Sequence, residues 1–144
     1  MRELTSSVEI GASARRVWDI LTDFGSYPDW NPFITSASGE AERGATLEIR
    51  IEPPEGRAMT FKPRVLEATP ERELRWLGRL FLPGVFDGEH SLCIEPIADE
   101  RVHFVQSERF DGVLVPLFGG TLEKTQRGFE ATNAALKRRA EGDR

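Results

Sequence analysis

The chain reads as an α+β fold in which a curved antiparallel sheet closes on a long C-terminal helix around a pocket. Three observations predict it. From residue 33 onward the apolar pattern has period two for roughly eighty residues, with short turn signals between the segments, as in an antiparallel meander. Residues 119–141 instead carry one stripe at helical spacing, built on Leu122, Phe129 and Leu136 with Gln126, Asn133 and Ala140 filling in. Within that stripe Gln126 and Asn133 are amides, which a dry core leaves without partners and a wet or ligand-filled cavity supplies.

The whole chain sets bounds on function. Its 144 residues fit one domain, 1–144, and 39% hydrophobic with 30% charged residues describe a globular protein. A net charge of −5 argues against a nucleic-acid partner, which calls for a basic face. The N-terminal MRELTSSVEIG holds no long apolar run, so neither a signal peptide nor a transmembrane segment is expected. Cys93 is the single cysteine, which fits a reducing compartment and a cytoplasmic location. Two histidines and one cysteine point away from a structural zinc site, and with no nucleotide loop present neither a metal nor a cofactor is predicted.

Taken in order, residues 3–11 alternate, with Leu4, Ser6, Val8 and Ile10 on one face, and predict a half-buried strand ended by Gly11. Ser13 is placed to cap a helix over 14–23 whose apolar side is Val17, Trp18 and Leu21. A second helical turn is expected at 26–31, with Ser26 as cap and Pro28 in the tolerant first turn; Asn31 before Pro32 stops it. Six strands follow, over 34–40, 45–53, 58–69, 72–80, 86–96 and 101–111, separated by turns such as Glu42-Arg43-Gly44 and Thr69-Pro70-Glu71. The long helix closes the chain. Gly128 at its middle either admits a close neighbour, permits a bend or is merely tolerated.

The stretch VEIGASARRVWDILTDFGSYPDWNPFI, the later REL-RW-LG and the terminal amphipathic helix resemble the SRPBCC superfamily, which groups START-like, Bet v 1-like and polyketide cyclase/dehydrase-type proteins. The resemblance covers nearly the whole chain and is strongest at residues 17–33, with Trp30 and Pro32. It implies a helix-grip fold, a seven-stranded antiparallel sheet wrapped around the C-terminal helix with an apolar cavity between them. It brings no universal catalytic motif.

Strand parity supplies the candidate cavity residues independently. Leu47, Ile49, Ile51, Met59, Phe61, Val65, Leu74 and Trp76 face inward, followed by Phe86, Gly88, His90, Leu92 and Ile94, then Val102, Phe104, Gln106, Glu108 and Phe110. Pairing the last two strands around a loop at 98–100 sets Ile97 opposite Arg101, His90 opposite Glu108 and Leu92 opposite Gln106, whereas a two-residue slip keeps the same inner face and sets His90 opposite Gln106 or Phe110. A carboxylate beside an imidazole orients it and raises its pKa, which suits a general base or acid. The same two residues equally satisfy each other in an apolar shell, or hold a ligand's polar head. Trp76 is placed either to pack or to stack on a flat ligand. Tyr27, Trp18 and Trp30 read as scaffold, and Cys93 and His103 as outward-facing.

The apolar loops Leu80–Val85 and Val113–Phe118 fall at one end of the meander, where loops are ordinarily polar. They predict a cavity entrance formed by Phe81, Leu82, Val85, Leu114, Leu117 and Phe118; a plug folded inward, or a homodimer contact, are the other readings. The leading functional expectation is binding of a small hydrophobic molecule, lipid-like or polycyclic, for storage, transport or sensing. Trp76, Phe86, Leu92, Phe104, Phe129 and Leu136 would give apolar contact, and His90, Gln106, Glu108, Gln126 and Asn133 would orient a polar group. One alternative, implied by the resemblance, is a cofactor-independent cyclase or dehydratase with His90 and Glu108 as the catalytic pair. Another is a regulatory or protein-interaction module.

Overall fold

The computed structural model of the chain describes residues 1–80 and 82–142. Strand β1 (Arg2–Ile10) leads into helix α1 (Ala14–Thr22), a 3-10 turn at Phe24–Ser26 and the short helix α2 (Tyr27–Trp30). Seven further strands follow: β2 (Ile34–Ser38), β3 (Glu48–Ile51), β4 (Met59–Phe61), β5 (Arg64–Thr69), β6 (Glu73–Leu80), β7 (Phe86–Ala98) and β8 (Arg101–Asp111). A second 3-10 turn, Val115–Phe118, runs into helix α3 (Gly119–Gly142).

The α+β class and the long helix hold, but the single seven-stranded sheet does not. The strands form a five-stranded sheet ordered β1-β8-β7-β6-β5 and a three-stranded sheet ordered β2-β3-β4. The cause is at Pro63, inside the expected strand 58–69. Proline has no N–H to give a ladder, and its carbonyl instead accepts from Leu47 N at 2.8 Å. Residues 44–47 pair with 63–65 through Gly44 N to Val65 O and Val65 N to Ala45 O, both 2.8 Å. The expected strand 45–53 is thereby divided as well: its start lies along β5, while its end, β3, lies between β2 and β4. The two sheets join at this crossing. β7 and β8 pair nearly as expected, except that Ala98 rather than Ile97 faces Arg101. A bulge between Pro96 and Ala98 absorbs the extra residue and leaves Ile97 exposed.

Helix α3 lies across the five-stranded sheet, and Leu122, Phe129, Leu136 and Ala140 on its inner face are at most 1% exposed. Its end is tied down by polar contacts. The Arg16 guanidinium of α1 donates to the carbonyls of Arg139 (3.1 Å) and Ala140 (3.3 Å) in its last turn. Glu141 accepts from Gly11 N at 2.6 Å. Ser13 caps α1 as expected, its hydroxyl accepting from Arg16 N at 3.1 Å. Ser26 does not cap α2; its hydroxyl donates to Asp23 at 2.7 Å, because a 3-10 turn already occupies the first part of the expected helix. Asn31 fixes the exit: its side-chain oxygen accepts from Phe33 N (2.9 Å), Ile34 N (2.8 Å) and the Thr132 hydroxyl of α3 (3.2 Å).

The three-stranded sheet meets α3 at Gly128. The ring of Phe33, itself buried and edge-on to Phe129 at 5.8 Å, occupies the space where a side chain at Gly128 would begin. Of the three readings of this glycine, the close neighbour is the one realised. An alanine there gains about 1 kcal/mol of helix propensity but overpacks a closed site, which typically costs about 1–3 kcal/mol. Gly128→Ala is therefore expected to lose up to about 2 kcal/mol of stability net, read as a lower urea midpoint with an unchanged slope.

Candidate functional site

The site is set by register. Trp76 of β6 faces His90 of β7, which faces Glu108 of β8, which faces Leu4 of β1, so these four form one rung across the sheet. The next rung toward the closed end is Leu74, Leu92, Gln106 and Ser6. A hydrogen-bonded chain links the two to α3: His90 Nε2 to Gln106 Oε1 at 2.8 Å, Gln106 Nε2 to Asn133 Oδ1 at 2.8 Å, and Asn133 Nδ2 to the Ser6 hydroxyl at 3.0 Å. Because the Gln106 amide spends its N–H on Asn133, its oxygen is the acceptor toward His90, and the imidazole carries its proton on Nε2. Nδ1 is then a lone pair turned toward Glu108. Trp76 edge-on at 5.0 Å and Phe129 at 4.9 Å flank the ring.

The rung on the other side explains the empty space. It pairs Gly78 with Gly88 and Gly88 with Phe110, so two of its positions have no side chain. The Phe61 ring lies over Gly78, 3.3 Å from where a Cβ would stand, and the Glu108 carboxyl leans over Gly88. Beyond the His90 rung opens a cavity of about 410 Å³, within the range of roughly 300–1,000 Å³ common for small-molecule sites. Its wall is mostly apolar, with Phe33, Ile49, Ile51, Met59, Phe61, Trp76, Phe86, Phe110, Phe118 and Leu122, and His90 and Glu108 lie at the floor. The lining residues Glu55, Gly56, Arg57 and Arg79 are exposed, which places the mouth beside the 52–58 link and the start of α3.

Burial decides the charges at the floor. His90 is held down to a pKa of about 4, burial outweighing its bond to Gln106. Burial raises Glu108 to about 8. The His90 Nδ1 to Glu108 Oε1 distance of 3.8 Å is too long for a hydrogen bond, and the Glu108 side chain keeps 16% exposure. Near neutral pH the pair is a neutral imidazole facing a neutral carboxylic acid, not an ion pair. Burial moves the two groups in opposite directions, His90 down and Glu108 up, so the imidazole shifts the other way from what a facing carboxylate alone would give.

A family model described as polyketide cyclase / dehydrase and lipid transport matches residues 1–141. The chain belongs to that family. Among solved structures, a START superfamily protein from Mycobacterium smegmatis aligns with a TM-score of 0.79 at 22% identity, covering 99% of each chain. The Zhui aromatase/cyclase from Streptomyces sp. R1128 aligns at 0.78 and 20% identity, covering 97% of this chain and 93% of that one. A hypothetical protein from Helicobacter pylori, jhp0584, aligns at 0.78 and 14% identity, covering 97% and 88%. At these identities the likeness is one of fold. No curated protein matches the chain. No helix among the described residues is long and apolar enough to cross a membrane.

In this member of the polyketide cyclase/dehydrase and lipid transport family, the expected ligand-site residues divide into three groups. Trp76, Phe86, His90 and Glu108 line the cavity. Leu92, Phe104, Gln106, Phe129, Asn133 and Leu136 are buried in the filled half behind the floor and do not line it, so their parity was read correctly but their depth was not. Gln126 lies outside, donating to Thr5 O at 3.0 Å, because the buried stripe of α3 runs through Thr125 and Phe129 instead. The expected entrance is also corrected. Phe118 lines the cavity, but Leu82, Val85, Leu114 and Leu117 do not; Phe81 lies outside the described residues. The two loops are stitched together by Val113 N to Gly84 O (3.1 Å) and Leu114 N to Val85 O (3.0 Å), so they cannot be two lips with an opening between them. Cys93 is half-buried, its thiol pushed up by burial and by Glu73 and Glu95, and His103 is exposed. The sequence reading placed Gly88 on the inward face but missed Arg57, Lys124 and Gly78 as site residues. A glycine inside strand 72–80 was the available signal for Gly78.

The floor pair makes an alkaline stability test. Between about pH 4.5 and 6.5 the unfolded chain carries its one proton on the histidine and the folded chain carries it on Glu108, so the pair adds no slope. Above 6.5 the unfolded pair has lost its proton while folded Glu108 keeps it until about 8, so stability falls as pH rises. Urea melts at about pH 5.5 and about pH 8 should show a loss on the order of 1–2 kcal/mol in the parent that Glu108→Gln lacks.

Proposed function

We propose that the protein binds a small hydrophobic molecule, lipid-like or polycyclic, in the cavity between its sheets and α3, for storage, transport or sensing. The observation that carries this reading is the cavity itself: about 410 Å³, walled mainly by aromatic and branched aliphatic side chains and open at one end. Trp76 and Phe86 supply flat apolar surface, and the unbonded Glu108 carboxyl at the floor offers a single polar handle to a carbonyl or hydroxyl group. The lipid-transport half of the family description is consistent with such a role. The lone Cys93 supports placing it in the cytoplasm.

One observation favours a second reading, a cofactor-independent cyclase or dehydratase. A carboxylic acid that stays protonated near pH 7, beside an imidazole with a free Nδ1 lone pair, matches the requirement for acid–base work on a substrate folded in the cavity. In that reading Glu108 gives the proton and His90 accepts one. Both readings share the cavity, so occupancy is tested first. The neutral dye N-phenyl-1-naphthylamine should brighten on binding the parent protein. Ile51→Trp, which fills the wall from a half-buried position, should weaken the dye at least about tenfold while leaving the thermal midpoint within a few degrees. Equal dye binding by both proteins would sink the cavity reading. Glu108→Gln that keeps dye affinity but abolishes turnover of a polyketone substrate would select the enzyme.

A further inference from the structure

The cavity has opposite electrostatic characters at its two ends. Its floor carries a carboxyl and an imidazole and no cation. Its mouth carries Glu55, Arg57, Arg79 and Lys124. Two of these four are neutralised within the protein: Glu55 pairs with Arg127 at 3.5 Å, and Arg79 pairs with Asp87 at 3.4 Å. Asp87 is further occupied in bracing the 82–86 turn, accepting from Gly84 N at 3.1 Å. Arg57 and Lys124 have no ion-pair partner among the described residues, although the chain as a whole carries a net charge of −5.

Both cations line the same end of the cavity. The Lys124 stem runs across Gly56, its Cδ 3.5 Å from where a Cβ on that glycine would stand, and Gly56 immediately precedes Arg57. Ordinary surface cations are solvated and spread apart, which lowers their mutual repulsion. Here Lys124, half exposed and with its stem against Gly56, lines the same rim as Arg57. An anion seated between them would relieve that repulsion while its attached apolar body stays in the cavity.

We propose that the ligand is an amphipathic anion, bound with its apolar body toward the His90 and Glu108 floor and its charged group at the mouth between Arg57 and Lys124. The inference rests on the reading of the cavity as a ligand site and adds to it the charge and direction of the occupant. The reverse orientation would bury an anion against Glu108 with no cation in reach.

Displacement of N-phenyl-1-naphthylamine by decanoate and by 1-decanol, two chains that differ in the head group, tests it. The double variant Arg57→Gln/Lys124→Gln should weaken decanoate roughly tenfold and leave 1-decanol within about twofold, and added salt should weaken decanoate alone in the parent protein. Equal effects on both compounds, or none on either, would overturn the proposed head-group site while leaving the cavity reading intact. Failure of the dye to bind the parent at all would overturn the cavity reading instead. Arg79→Gln is the control: its charge is already matched by Asp87, so decanoate affinity should change less than in the double variant.

Discussion

The hydrogen-bonded chain from Ser6 through Asn133 and Gln106 to His90 is the partition on which the interior depends. His90, Gln106 and Asn133 are buried where an unpaired donor or acceptor would cost about 1–3 kcal/mol, and each is bonded to a neighbour on a different element, the chain ending at half-buried Ser6. The chain therefore pins β1, α3, β8 and β7 to one another at a single depth. Behind it Leu74, Leu92, Phe104 and Leu136 close completely; in front of it lies the cavity. It also fixes the imidazole tautomer, since Gln106 has only an acceptor left to offer.

What keeps the front half open is the absence of side chains rather than the presence of special ones. Gly78 and Gly88 face each other on β6 and β7, one rung above the floor. Glycine inside a strand gives up packing and conformational stability, and unfilled volume gives up dispersion contacts as well. The vacated space is taken on one side by the Phe61 ring and on the other by the Glu108 carboxyl. The glycine pair thus both sets the cavity floor and makes room for that buried carboxyl.

Much of this was legible in the sequence, for identifiable reasons. Alternation determines which face of a strand is buried, so the inward set on β7 and β8 was readable, and the short connection between them made the His90–Glu108 pairing a matter of counting. Depth along a strand has no such signature. Gln106 and Glu108 share a parity, yet one lies behind the partition and the other in front, and only the placement of α3 separates them. The split of the sheet was signalled by Pro63, but its consequence depended on residues 44–47, twenty positions earlier, arriving to pair there. Gln126 was misplaced because a heptad reading of Leu122, Phe129 and Leu136 centres the stripe slightly off the true buried face, which includes Thr125 and Thr132. The mouth was misread because apolar loops invite the inference of an opening, whereas backbone hydrogen bonds between them make one connected turn.

The charge state of the floor pair and the contents of the cavity are linked. Neutral His90 with protonated Glu108 contains the same number of protons as imidazolium with carboxylate, so the balance between the two forms is set by the surroundings rather than by bulk pH. Water in the cavity favours the charged form by solvating it; an apolar occupant removes that solvation and favours the neutral one. By reciprocity, whatever keeps Glu108 protonated strengthens the binding of such an occupant by the same free energy, and ionisation above about pH 8 weakens it. A ligand carrying its own anion to the floor would meet that cost at once. Set at the mouth, where Arg57 and Lys124 have no ion-pair partner among the described residues, the same anion leaves the floor neutral and lets apolar burial act undiminished. Two glycines, one buried acid and the two cations at the mouth thus define a cavity with a preferred direction.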